Sequence, residues 1–175
     1  VKLSNIVMTQ LIRAIFCSSL IFSFLLTNCA KKTTTPASGS LGKNEVSNLS
    51  TDDMSVAILY FVNTYRKSIG RVPVQPNHYE SEVALQHSVR MARKITPFGH
   101  AGFESRIKAI EKQLGPMQAT AENVAYGQMT AREVVDSWLQ SPAHRKNIEG
   151  NYVLTGIGCA KSNTGVIYYT EIFTR

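Results

Sequence analysis

From Gly150 to the C-terminus the chain reads as a two-stranded ribbon without a polar side. Val153, Thr155, Ile157 and Cys159 alternate with Leu154, Gly156 and Gly158, and both sets are apolar or small. Successive side chains on a strand point to opposite faces, so neither face of this ribbon suits water. Ser162-Asn163-Thr164-Gly165 forms a turn, and Val166 to Phe173 returns with Tyr168 and Tyr169, which makes a hairpin. Such a hairpin must lie between two other layers. Gly156 and Gly158 would let a helix approach the strand closely.

The preceding sequence supplies those layers. Ser50-Thr51-Asp52-Asp53 are helix-capping residues, and Ile58, Val62, Tyr65 and Ile69 follow at helical spacing until Gly70. A second helix is expected near Glu80–Ile95, with Ala84, Ser88, Met91 or Ala92, and Ile95 inward, ended by Thr96-Pro97. A third carries Phe103, Ile107, Ile110 and Leu114 and stops at Gly115-Pro116. Thr130 with Glu133 forms a capping box for a fourth, whose apolar face is Val134, Val135, Trp138 and Leu139. Ser141-Pro142 opens a short fifth helix, with serine at the cap and proline at the first helical position. The expected fold class is α/β, a three-layer α/β/α sandwich with a small antiparallel sheet between helices.

The front of the chain is of a different kind. Ala14 to Thr27 has no charge and follows Lys2 and Arg13, the layout of a secretory signal. A transmembrane helix is the alternative, and the run is short for one. Leu26-Thr27-Asn28-Cys29 resembles the bacterial lipobox, whose cysteine becomes the acylated first residue of a mature lipoprotein. Residues 1–28 are therefore expected to be a signal peptide, Cys29 the lipidation site and residues 29–51 a flexible tether rich in Lys, Thr, Ser, Gly and Asn. Residues 52–175 form the folded domain. The expected location is the cell envelope, with the membrane a partner through the N-terminal lipid; release as a soluble secreted protein is the alternative.

A formal charge of +7 suggests nucleic acid until it is divided along the chain. Residues 1–50 carry five basic and one acidic side chains, and residues 51–175 carry fourteen and eleven. The domain's own surplus is slight, and no nucleic-acid partner is expected. Of the three cysteines, Cys17 leaves with the signal and Cys29 carries lipid. That leaves Cys159 in an apolar strand, as a buried, inert thiol.

Several short signatures fall in one order: Asn63-Thr64-Tyr65-Arg66; Gly99-His100 with Phe103 and Arg106; Ala121-Glu122-Asn123-Val124-Ala125 with Gly127; Trp138-Leu139-Gln140-Ser141-Pro142-Ala143-His144-Arg145-Lys146-Asn147-Ile148; then Gly156-Ile157-Gly158 and Tyr169-Thr170-Glu171-Ile172-Phe173. Together they resemble the bacterial branch of the CAP superfamily, the cysteine-rich secretory, antigen 5 and pathogenesis-related class. The resemblance covers nearly the whole domain. It implies an α/β/α sandwich and a cleft lined by two histidines and two glutamates, which in some members holds a divalent cation such as zinc. His100 matches the first histidine and Glu122 the first glutamate. The second glutamate falls on Ser141, and the last histidine has no counterpart in Val166-Ile167-Tyr168. His144 matches the histidine of the bacterial motif, and Glu171 replaces a usual glutamine. The resemblance thus implies a modified cleft of His100, Glu122, Ser141, His144 and Glu171.

Neutral imidazoles and a carboxylate suit zinc, and without metal a histidine beside a carboxylate could act as a general base. No nucleophile accompanies them, since Ser141 is expected at a helix cap and Cys159 in the core. The preferred expectation is a non-enzymatic binding module that requires no cofactor and engages a lipid, cell-wall or protein ligand. One alternative is a metal-assisted hydrolase using His100, Glu122 and His144. The other is a structural envelope protein whose cleft is vestigial. Bland roles stay open: His100 and His144 as loop hydrogen-bonders, Glu122 as an acceptor of backbone amides, Asn123 and Arg106 as scaffold. Trp138 is expected to anchor the core, His78 and His87 to lie on the surface, and Gly99 and Gly127 to serve backbone conformation.

Overall fold

Ser50 begins the first helix by accepting a hydrogen bond from the Asp53 amide, and α1 runs Thr51–Ser68. Its buried stripe is Met54, Ile58, Val62 and Arg66, a strict four-residue spacing. Ile69, expected inward, lies past the helix end and is exposed. Arg66 takes the last inward place, and its guanidinium donates to the carbonyls of Val72, Ile148, Gly150 and Tyr152. Asn63 brackets Val74, donating to its carbonyl at 2.9 Å and accepting from its amide at 2.9 Å. Two members of the Asn63–Arg66 motif are therefore staples that fix the chain leaving α1.

This computed structural model describes residues 50–175. The expected signal peptide, Cys29 and nearly all of the tether lie outside the described residues. Within them, no helix is long and apolar enough to cross a membrane.

After α1 come β1 (Gln75–Pro76), α2 (His78–Ala92) and α3 (Phe103–Leu114). Asn77 caps α2 by accepting from the Glu80 amide. The helix stops three residues before the expected Ile95, because Lys94 turns left-handed at φ 56°; Ile95 is exposed. His87 also departs from expectation, being buried on the inner face of α2. Next are β2 (Thr120–Gly127), α4 (Ala131–Gln140), α5 (Pro142–Ile148), β3 (Leu154–Lys161) and β4 (Ile167–Thr174). The Thr130–Glu133 capping box closes in both directions at the start of α4.

The terminal hairpin pairs from Leu154↔Thr174 to Lys161↔Ile167. β2 pairs antiparallel with β4 from Thr120↔Thr174 to Gly127↔Ile167. The periodicity of the sequence assigns that segment no element, and it is a full edge strand here. The order is β1-β3-β4-β2, with the two-residue β1 parallel to β3. One side of the sheet buries Trp138, Tyr169, Phe173 and Ile157 against α1, α4 and α5. The other buries Ile172 against Val83, Ala84, Ile107 and Ile110 of α2 and α3. The expected sandwich is thus present, its sheet enlarged by one parallel edge piece.

The two hairpin glycines set the distance between layers. A Cβ at Gly156 would lie 2.1 Å from the Glu80 carbonyl carbon, and one at Gly158 would lie 2.1 Å from the Leu85 nitrogen. The α2 backbone therefore rests on the strand, and Ser88 reaches the Gly158 carbonyl at 2.8 Å. Trp138 anchors the opposite core and donates its indole N–H to the Val124 carbonyl at 3.2 Å. Cys159 is buried, and burial pushes its thiol up to about 12, which leaves it inert.

Candidate functional site

Strand β2 builds the site because neighbouring residues point opposite ways. Glu122 faces the α3 layer and Asn123 the α5 layer, each almost without solvent. Arg106, on the second turn of α3, clamps the Glu122 carboxylate at both oxygens: Nε to Oε2 at 2.8 Å and Nη2 to Oε1 at 2.7 Å. The remaining guanidinium N–H groups reach the Ala101 carbonyl at 2.9 Å, His87 Nδ1 at 3.1 Å and the His100 carbonyl at 3.5 Å. All five donors are committed, so Arg106 is a clamp with no spare donor for a ligand.

His100 sits in the loop between α2 and α3, and its Nδ1 lies 3.0 Å from Glu122 Oε1. A carboxylate oxygen only accepts, so the proton is on Nδ1 and Nε2 faces outward. The His100 side chain is 50% exposed while that of Glu122 is 1% exposed. This is an imidazole oriented from behind by a fixed carboxylate.

His87 completes the network from below. Its Nε2 donates to the Gly99 carbonyl at 2.8 Å, so Nδ1 is the acceptor for Arg106. Burial, and then the Arg106 charge against the help of the Gly99 bond, hold its imidazole below the ordinary histidine range. No motif marks this residue; the missed signal is its helical spacing, three residues after Ala84 and four before Met91 on the inward side of α2.

The other face of β2 ties in α5. Asn123 donates to the His144 carbonyl at 3.2 Å and accepts from Asn147 at 2.8 Å, and Asn147 also donates to the Glu122 carbonyl at 3.2 Å. The His144 imidazole is lowered by burial and then by the field of His100. Among the described residues it hydrogen-bonds to neither His100 nor Glu122. Ser141 holds the cap position of α5, but its hydroxyl makes no capping bond.

Glu171 is not part of this cleft. The β4 side chains alternate too, and Glu171 lies fully buried in the α1 layer, on the opposite face of the sheet from Glu122. Its Oε1 takes a 3.3 Å bond from Thr155, and Oε2 has no partner among the described residues. Burial pushes this carboxyl up to about 8, so it is a neutral acid at neutral pH.

The donor set does not fit the cation that the family resemblance implies for the cleft. Both Glu122 oxygens already serve Arg106 and His100, and a ligating carboxylate would have to give them up. Among the described residues no three His, Cys, Asp or Glu side chains are grouped to hold a metal ion. Beside the network, a cavity of about 470 Å³ lies between α2 and α3, with His87 and Arg106 in its wall. The Thr96 hydroxyl on its lining is buried without a partner among the described residues.

Residues 59–173 match the model of the cysteine-rich secretory protein family, CAP, and the chain belongs to that family. It is 33% identical over 111 residues to the uncharacterized protein YkwD of Bacillus subtilis, covering 61% of this chain and 42% of that one. It is 28% identical over 121 residues to the uncharacterized membrane protein YlbC of the same organism, covering 67% of this chain and 33% of that one. The chain thus spans less than half the length of these relatives. Among solved structures, an outer surface protein of Borrelia burgdorferi superposes with a TM-score of 0.64 at 19% identity, over 73% of this chain and 96% of that one. An extracellular SCP-domain protein of Bacillus anthracis gives 0.62 at 22% identity, over 79% of this chain and 45% of that one. At these identities the structures bear on the fold.

Proposed function

We propose that this CAP-domain chain is exported, held at the cell envelope by lipid on Cys29, and acts there as a non-enzymatic binding module. The reading is supported by the outer-surface and extracellular descriptions of two structural neighbours and by the lipobox-like run before Cys29. The observation that carries the binding role is the saturated Arg106–Glu122 clamp. It orients His100 through Nδ1, leaves Nε2 outside the clamp and commits both oxygens of Glu122 to protein partners in place of a metal.

A neutral imidazole that donates through Nδ1 accepts through Nε2. In this reading the ligand presents O–H or N–H groups to His100, as the glycan hydroxyls and peptide amides of wall polymer do. The cavity between α2 and α3 has the size of a small-molecule site, and it lies against His87 and Arg106 behind the clamp, lined by neither His100 nor His144.

Soluble wall fragments titrated into the purified chain should shift the ring signals of His100 and His144, and His100→Ala should abolish the shift. The fragments should be recovered intact by mass spectrometry. Cleaved fragments, with cleavage lost in His100→Ala, would replace this reading with an enzymatic one. Cys29→Ser should move the protein from the membrane fraction to the soluble one.

A further inference from the structure

The sheet has two edges, and only one of them is closed by the site above. On the other, β1 covers just the start of β3, pairing Gln75 with Leu154 and Pro76 with Thr155. The outward direction of the β3 backbone can be followed along the strand. Gln75 donates to the Val153 carbonyl, Asn77 to the Thr155 carbonyl, and the Ile157 amide donates to Ser81 Oγ at 3.3 Å. Alternation carries the same orientation to Cys159 and Lys161. No strand among the described residues pairs with that edge beyond Pro76.

This edge lies at the bottom of a slot between the first turns of α1 and the outer side of α2. Three adjoining cavities, of about 110, 330 and 350 Å³, run along it. The first two share Ser55, Ser81 and Ile157, and the second and third share Leu85 and Cys159, so they form one channel. The middle of the channel carries Asp52, together with Glu82 and His78, whose Nε2 lies 3.3 Å from Glu82 Oε1, and its far end carries Arg93 and Lys161. From Ile157 to Lys161 a strand advances about 13 Å.

We infer that this slot is a docking site for an extended segment of another polypeptide, which adds to the sheet as a strand beside β3. Main-chain hydrogen bonds to the β3 edge would hold it, with alternate side chains against Leu85 and Val89 on one side and Ser55 and Thr51 on the other. Charge defines the partner: a basic residue opposite Asp52 and Glu82, and an acidic residue or C-terminal carboxylate opposite Arg93 and Lys161, about four residues away. A second copy of the chain does not fit. Ile157, Gly158, Cys159 and Ala160 are buried although they lie at the edge, so the strand is recessed behind its helices. Two recessed edges cannot meet. Beyond Pro76 the edge has no proline and its only charge is terminal Lys161, so the flanking helices are what guard it from pairing with another sheet.

The test uses the full chain and a blocked peptide, acetyl-Lys-Thr-Val-Thr-Glu-amide, read by amide hydrogen exchange. Saturating peptide should slow exchange at the Cys159 and Lys161 amides by about tenfold or more. A peptide with proline at its third position, which removes a ladder donor, should not do so. Lys161→Glu should weaken binding of the first peptide by about fivefold, and reversing the peptide's terminal glutamate to lysine should restore it. Unchanged exchange at both amides with millimolar peptide would overturn the inference. So would slow exchange in the free chain that disappears on deleting residues 38–49, which would make the chain's own segment the occupant. Slow exchange that depends on protein concentration would also overturn it, in favour of a dimer.

Discussion

Glu122 and Glu171 lie on neighbouring strands of one sheet, one residue out of step, and the two layers treat them oppositely. Glu122 meets a guanidinium at both oxygens and an imidazole at one, so its buried charge is compensated by hydrogen bonds at every turn. Glu171 meets one threonine hydroxyl, while Arg66, the nearest cation by its electrostatic effect, spends its donors on backbone carbonyls. Glu80 resembles Glu171: it takes a 2.7 Å bond from Thr174, keeps Oε2 without a partner among the described residues, and is pushed up to about 7 by burial. The same side chain is thus an orienting anion in one place and an uncharged acid in another. Partners decide which, because burial is nearly complete in all three cases.

The most damaging way to break this contrast is to remove the clamp. Arg106→Met should cost about 3–5 kcal/mol in denaturant unfolding, since it strands a charge whose side chain is 1% exposed. A loss under about 1 kcal/mol would mean that Glu122 does not depend on Arg106.

The raised carboxyls should reveal themselves through pH. A carboxyl whose folded value is raised stabilises fully below its unfolded value and loses that contribution as pH climbs. For Glu80 the loss spans pH 4.5 to about 7, and for Glu171 pH 4.5 to about 8. Each shift corresponds to about 3–5 kcal/mol at most. Chemical denaturation across this range should show stability falling on the alkaline side, and the double substitution Glu80→Gln, Glu171→Gln should flatten the curve. His87 acts with the opposite sign. Its lowered imidazole stabilises above the unfolded value of 6.5 and loses this as pH falls, so His87→Gln should remove acid sensitivity below that pH.

A smaller effect tests whether Glu80 is held by the hairpin. Gly156→Ala places a methyl group against the Glu80 backbone and should cost about 1–3 kcal/mol by thermal or chemical unfolding. Smallest of all, Ser141→Ala should change stability by less than about 0.5 kcal/mol, because its hydroxyl caps nothing. A drop of about 1 kcal/mol or more would restore the helix-capping role that its position suggests.

These differences also explain what could be read before the fold was known. The glycine pair, the Thr130 capping box and the apolar hairpin speak through local rules, and each is found where those rules put it. Strand β2 was illegible because its inward faces are Ala, Glu, Asn and Val, and no alternation survives when buried polar residues are satisfied from other elements. Arg66 and His87 were hidden for the same reason: both look like surface residues until Ile148 and Gly99 supply carbonyls. Ile69 and Ile95 misled the other way, as apolar residues placed just beyond a helix end. In the candidate site, His100 and Glu122 meet in a hydrogen bond, His144 bonds through its backbone carbonyl to Asn123 instead, and Glu171 belongs to the far layer.

The alternation of β2 has one more consequence. If this strand slipped by a single residue along β4, Asn123 would turn toward Arg106 and Glu122 would descend among Val135, Trp138 and Ile148 without a cation. A misaligned edge strand would therefore extinguish the imidazole's orientation and charge the interior in one movement. Recognition and folding share a single alignment, so the chain cannot lose the first quietly while keeping the second.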